Sequence, residues 1–472
     1  MSDHRSEYQE KVFRREALVF LAENRDYLAR AKGIFLRSSA LAFRNGTVLP
    51  PARIWEWLFE KDAPEKYPNI FNGFENYDLE SPGVVKFLFL YYSFYERLVE
   101  AIEKGATVIN RKETPDLFLG LGAISIRGGA TAALSNTVRS AAPGNPEACG
   151  SGSTWAHVDH KIPFNLQVVP VGVYCYDKPN NAVAAQRSGK HRVPMMLIDN
   201  PIGSGDKEWA VEYRVKSLRR VAAEVSKSTG RAVDDEAIRK EIIVGNKVRR
   251  AIWRIFELQS DSPQPPFTAY EYETILHSGH NWGGEPEAYL QAIQEIVSDV
   301  PQRIHHQVHG TSGGKNPVRI FVGGACTHFR PLVGPTSGAV PVGVEWFLAP
   351  SFGNFDETGD PFRALVVGSP LKSLTQPLEE HAHWIVEHIR RSRAEGFIYG
   401  YHFGCNFGSS AANAIVDTVR RETGIPTLIM ESGMVGRRGN ESGSGLTRVE
   451  AFIELLKSKK GALRQKRERI PV

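Results

Sequence analysis

Short apolar runs, each stopped by glycine, proline or cysteine, most constrain what this chain can fold into. NLQVVPVGVYCYD, from Asn165, and VPMMLIDNP, from Val193, have the length and β-branched content of buried strands. KPNNAVAAQRSGKHR between them is a short crossover, part of it helical. Upstream, PDLFLGLGAISIRGG reads as a helical turn that runs into a strand with a glycine stop. Strand, crossover, strand predicts a parallel sheet with both faces covered. The pattern returns late in the chain with VRIFVGGACTHF, VGVEWFLAPSFGNFDE, the helix LEEHAHWIVEHIRRSRAEG and the run GFIYGYHFGC. It closes with the helix SSAANAIVDTVRRETG, the strand IPTLIMES and a last helix, LTRVEAFIELLKSKKG. Each of the two regions has a cysteine at a strand end, so the two could be a diverged pair.

The remainder reads as helix. Apolar residues recur at helical spacing through EYQEKVFRREALVFLAENRDYLARAKGIFL and VVKFLFLYYSFYERLVEAIEKG. The helical texture resumes at Asp206. There Trp209, Ala210, Tyr213, Leu218, Val221 and Val225 fall near one face, which predicts that face to be buried. The expected organisation is a helical region over 1–112, an α/β domain over 113–205, a helical insertion over 206–316 and a second α/β domain over 317–472. A chain of 472 residues is too long for a single core, which agrees with such a division.

Charge and composition exclude several classes. The net charge of +5 is small for this length, and no basic stripe with interleaved aromatics suggests a nucleic-acid surface. The apolar run FLFLYY is far shorter than the roughly 20 residues needed to span a membrane. MSDHRSEYQEK lacks the basic segment and apolar core of a signal peptide, so a cytoplasmic location is expected. No GxxxxGK[ST] phosphate loop is present, which argues against ATP hydrolysis by this chain, and AISIRGGA is not a dinucleotide fingerprint.

Four cysteines in so long a chain are no disulfide framework, and their placement is informative. Cys175 ends VVPVGVYC, Cys405 ends FIYGYHFGC, Cys326 follows the strand in FVGGACTHF, and Cys149 lies in the glycine-rich loop NPEACGSGSTW. Ligands of open parallel sheets bind beyond the carboxyl ends of strands. A buried structural thiol, a nucleophile and a metal ligand each account for any one such cysteine. Taken together, sequence-distant single cysteines do not form a zinc ribbon; they suit an iron–sulfur cluster assembled between two domains. Among the histidines, His157 and His160 flank the Cys149 loop and are candidates for proton transfer. His402 reads as structural, and HSGH at His277 and HHQVH at His305 read as exposed loop histidines.

The run YHFGCNFGSSAANAIVDTVRRETGIPTLIMESGMVGRRGNESGSGLTRVEAFIELL resembles the closing segment of the 2-hydroxyacyl-CoA dehydratase and benzoyl-CoA reductase subunits. ACGSGSTW and VGVYCYDK resemble the first and second cysteine sites of that family, and TPDLFLGLGAISIRGG its early helix-to-strand element. The resemblance covers roughly Thr114 to Gly461, with the pieces in the family's order. It implies two flavodoxin-like parallel-sheet domains facing each other, with one [4Fe–4S] cluster on Cys149, Cys175 and Cys405 and with Cys326 as a non-ligand. It also implies a homologous second subunit, an ATP-hydrolysing iron–sulfur activator that supplies low-potential electrons, and an acyl-CoA substrate. The chemistry implied is reduction of an aromatic acyl-CoA of the benzoyl-CoA type, or loss of water from an (R)-2-hydroxyacyl-CoA through a ketyl-type radical. A non-catalytic cluster-carrying scaffold subunit is the reading outside that class.

Overall fold

The computed structural model describes residues 15, 18–60, 76–110, 115–126, 164–171, 194–201, 203–279, 281–305, 317–324, 338–345, 353–369, 376–402, 405–432 and 443–468. Two four-stranded parallel sheets organise them. The first consists of β1 (Val108–Asn110), β2 (Ile124–Ile126), β3 (Leu166–Val171) and β4 (Met195–Asp199), in the order β2-β1-β3-β4. The second consists of β5 (Val318–Gly324), β6 (Ala339–Val344), β7 (Gly396–His402) and β8 (Thr427–Ser432), in the order β6-β5-β7-β8. The two orders are the same: the second strand lies on one side of the first, and the third on the other. Successive connections therefore diverge between β1 and β3, and again between β5 and β7. In open α/β sheets such a switch point is where a crevice opens beyond the strand ends.

The expected two parallel-sheet domains are present. Strand β1, however, comes from TVIN, a piece too short to show a period within a region that reads as helical. A small antiparallel hairpin, Leu41–Ala42 with Val48–Leu49, also lies there.

The helices follow from their caps and faces. Ser81 accepts the Val84 N–H ahead of α1 (Pro82–Tyr92), whose proline fits a first turn that has no use for its missing N–H. Helix α2 (Pro115–Gly120) leads into β2. Next come α3 (Glu208–Thr229), closed by Gly230 at φ 68°, and α4 (Asp235–Asp261), capped by Asp234. A capping box between Thr268 and Glu271 starts α5 (Ala269–Ser278), and α6 (Pro286–His305) follows. His277 and His305 are thus helical rather than loop residues. Next in the chain comes α7 (Pro361–Val367), and the second sheet is accompanied by α8 (Leu378–Arg391), α9 (Asn406–Thr423) and α10 (Gly443–Glu468). Among the described residues, no helix is long and apolar enough to cross a membrane.

On α3 the buried face differs from the expected one. Ala210, Leu218, Val221 and Val225 are buried, but Trp209 is 58% exposed and Tyr213 43%. Val211, Arg214 and Ala222 are buried instead, completing an i, i+3, i+4 stripe that Trp209 and Tyr213 only border.

Strand β5 shows how the second sheet is buried on both sides. Val318, Ile320 and Val322 join the large core formed with α1, α4, α5 and α6, while Phe321 points the other way. There it meets Val340, Val342, Phe397 and Tyr399 and the apolar faces of α8 and α9. A third cluster packs the first sheet against α3, α4 and α7.

Candidate functional site

The carboxyl end of the second sheet gathers the chemistry. Strand β7 ends at His402, so Cys405 is not its last residue, as the run of apolar residues suggests. It is the N-cap of α9, held in extended backbone at φ −81° and ψ 94°. The Gly408 N–H donates to the Cys405 sulfur at 3.3 Å, and the Ser409 N–H donates to the Cys405 carbonyl at 2.9 Å. The first donates in the manner of a serine or aspartate cap, with sulfur in place of oxygen. Gly408 is needed for this turn: a Cβ there would stand 2.5 Å from Tyr401 Cβ and 3.3 Å from the Cys405 sulfur. The half-buried sulfur thus lies at the positive end of an 18-residue helix, with an N–H aimed at it. Hydrogen bonds to sulfur from backbone amides are among the means by which proteins tune thiolate ligands of iron–sulfur sites. The surroundings of Cys405 fit such a ligand.

Beside this turn lies a buried carboxylate–imidazole pair. Glu345 follows β6 directly, and its Oε2 accepts the Gly324 N–H at 2.7 Å, tying the ends of β5 and β6 together. Its Oε1 contacts Nε2 of His381, which α8 delivers from across the sheet end. A carboxylate only accepts, so the imidazole N–H is the donor. Both residues are 3% exposed. The His381 ring stacks on Phe407, in the first turn of α9, with centroids 6.2 Å apart and planes 18° from parallel. The phenol of Tyr399 is pushed well above its ordinary range, first by burial and then by electrostatic interaction with Glu345, Cys405 and Tyr401 nearby.

Gly324 lets the strands close at this edge. Its φ is +106°, and a Cβ would fall 1.9 Å from the Gly400 carbonyl oxygen. Only a residue without a side chain fits between β5 and β7 at their switch point.

Of the residues singled out in the sequence, Cys405 is the described thiol. Cys149, Cys175, Cys326, His157 and His160 lie outside the described residues. Among the described residues, no group of three or more histidine, cysteine, aspartate or glutamate side chains is assembled as a metal site. Sequence reading missed Glu345 and His381. The signal was faint: a glutamate directly after the apolar VGV, and a histidine on the apolar face of HAHWIVEHI.

Comparison with known families adds one finding. The family described as 2-hydroxyglutaryl-CoA dehydratase, D-component, matches residues 172–456, from just beyond β3 into α10. No curated protein matches the chain. The family match covers more than half of the 472 residues and includes the whole second sheet with Glu345, His381 and Cys405. The chain therefore belongs to the 2-hydroxyglutaryl-CoA dehydratase D-component family, within the 2-hydroxyacyl-CoA dehydratase and benzoyl-CoA reductase group, as a component of an enzyme of that kind.

Proposed function

We propose that this chain is the iron–sulfur subunit of an ATP-dependent aromatic acyl-CoA reductase of the benzoyl-CoA type, with one [4Fe–4S] cluster held by Cys149, Cys175 and Cys405. The observation that carries the reading is the setting of Cys405: a sulfur with a backbone N–H aimed at it, at the start of a helix, beyond the third strand of a doubly wound sheet. Cys175 follows β3 in sequence, and β3 is the third strand of the other sheet with the same order. Each sheet thus offers one cysteine after its third strand.

The cluster would supply single low-potential electrons to a CoA thioester. The part of this chain is to hold the sulfurs, to tune them with backbone N–H groups and to keep water from the sheet end. The Gly408 amide serves the second task, and the buried Glu345, His381 and Phe397 layer the third. With no phosphate loop in the sequence, the driving force comes from a separate ATP-hydrolysing iron–sulfur activator, and a homologous second subunit completes the enzyme.

A second reading, a subunit of an (R)-2-hydroxyacyl-CoA dehydratase, is favoured by the family's own description as a dehydratase component. The test mixes the anaerobically purified chain, its partner subunit, the activator, ATP and a strong reductant with benzoyl-CoA, and separately with 2-hydroxyacyl-CoA. Loss of the aromatic absorbance supports ring reduction. An enoyl-CoA product supports the dehydratase and overturns the first reading. Turnover of either substrate by the isolated chain without ATP overturns both.

A further inference from the structure

Beyond helping to keep water from the sheet end, the reading above gives the buried pair next to Cys405 no part. We propose that Glu345 and His381 are positioning residues for the Cys405 turn: they fix Phe407, and through it the first turn of α9 that presents the sulfur. The chain of contacts is continuous. The Gly324 N–H is held by Glu345 Oε2 at 2.7 Å, Glu345 Oε1 holds the His381 ring, and the ring runs near-parallel to that of Phe407, offset with centroids 6.2 Å apart, two positions along from Cys405. One carboxylate thereby links three strand or helix ends to the cysteine: those of β5, β6 and α8.

Stability alone gives a poor account of this arrangement. A carboxylate and an imidazole, each 3% exposed, lose much hydration, and well-packed apolar residues commonly stabilise a core as well or better. A directional pair does what apolar packing does not: it sets the rotation of an imidazole about its hydrogen bond, and so the plane against which Phe407 rests. Gly323 adds to the constraint. A Cβ there would meet the Phe397 ring at 2.7 Å and Glu345 Oε2 at 3.1 Å, so the carboxylate packs over a position that admits no side chain.

That Cys405 is a cluster ligand belongs to the reading above. The positioning role is tested first without any metal. Hydrogen–deuterium exchange is followed by mass spectrometry on the metal-free full chain, in the peptide that carries the Gly408 and Ser409 amides. His381→Ala is expected to speed exchange there at least tenfold, with peptides of α3 and α6 unchanged. Phe407→Leu leaves the buried pair intact and guards against a misfolded His381 variant; a threefold or greater rise is expected. Glu345→Gln keeps an oxygen for the Gly324 amide, and its amide N–H donates to Nε2 once the ring carries its proton on Nδ1, so exchange is expected to stay within threefold of the wild type. After anaerobic reconstitution with iron and sulfide, His381→Ala is expected to alter the electron paramagnetic resonance signal of the reduced chain, and Glu345→Gln to preserve it. Unchanged exchange in both His381→Ala and Phe407→Leu overturns the proposal, as does a Glu345→Gln chain that behaves like His381→Ala. A chain that takes up no iron overturns the cluster reading, while the exchange data still decide the positioning role.

Discussion

Two buried polar pairs invite comparison. Arg249 and Asp116 are 1% and 0% exposed at their side chains and join α4 to α2 through bonds of 3.0 and 3.2 Å. The guanidinium also lies 3.8 Å from the centre of the Phe355 ring, and Asn246 binds both the N–H and the carbonyl of Phe355. Every partner there belongs to the joint between the first sheet and the helices that follow it. The Glu345–His381 pair is as deeply buried, but it sits at the carboxyl end of the second sheet and leans on the turn of Cys405. Depth of burial therefore does not separate architecture from function. Place in the fold does: one pair cements a helix joint, and the other lies where doubly wound sheets carry their ligands.

Removing half of the first pair should have the largest effect. Arg249→Ala leaves Asp116 buried and uncompensated, and should destabilise the fold by about 3–5 kcal/mol in urea denaturation. The double change Asp116→Leu with Arg249→Met should recover most of that loss, because apolar residues often replace a buried pair at little cost. If the double variant is as unstable as the single one, the pair does more than fill a joint.

Gly245→Ala probes the same joint from the helix side. A Cβ at Gly245 would stand 2.1 Å from Asp116 Oδ1, 2.7 Å from Trp282 and 2.8 Å from Arg249 Nη2. Alanine favours a helix by about 1 kcal/mol over glycine. The overlap should outweigh that gain and leave a net loss of about 1–3 kcal/mol. A gain in the midpoint of denaturation would mean that the helices can separate freely.

The second pair should respond more weakly in global stability. His381→Ala leaves Glu345 with its Gly324 hydrogen bond and should cost about 1–2 kcal/mol, the penalty of one lost buried partner. Glu345→Gln should change stability by less than about 1 kcal/mol, since its oxygen keeps the Gly324 N–H and its amide N–H donates to Nε2 of a ring protonated at Nδ1. A loss for His381→Ala as large as that for Arg249→Ala would erase the contrast between the two pairs.

The sequence carried the architecture where elements were long or strongly patterned. VRIFVGG, GFIYGYH and IPTLIMES appear as the strands β5, β7 and β8, and α3, α4 and α9 follow their helical spacing. TVIN hid a strand because three residues show no period, and only pairing with β2 and β3 makes Val108–Asn110 a strand. Trp209 and Tyr213 were legible as apolar but not as exposed, because a stripe one residue over lies nearer the core. At the site, Cys405 stood out through its glycines. Glu345 and His381 did not, because they are far apart in sequence and meet only when α8 crosses the end of β6. Contacts of that range leave no local pattern.

The central claim, that Cys405 is a ligand of an iron–sulfur cluster, is tested most directly by iron and sulfide analysis of the anaerobically purified chain beside its Cys405→Ser and Cys326→Ala variants. The account predicts about four irons in the wild-type chain, as a cubane requires, with most of them lost in Cys405→Ser and none lost in Cys326→Ala. A wild-type chain without iron, or a Cys405→Ser chain that retains its full iron, would contradict it.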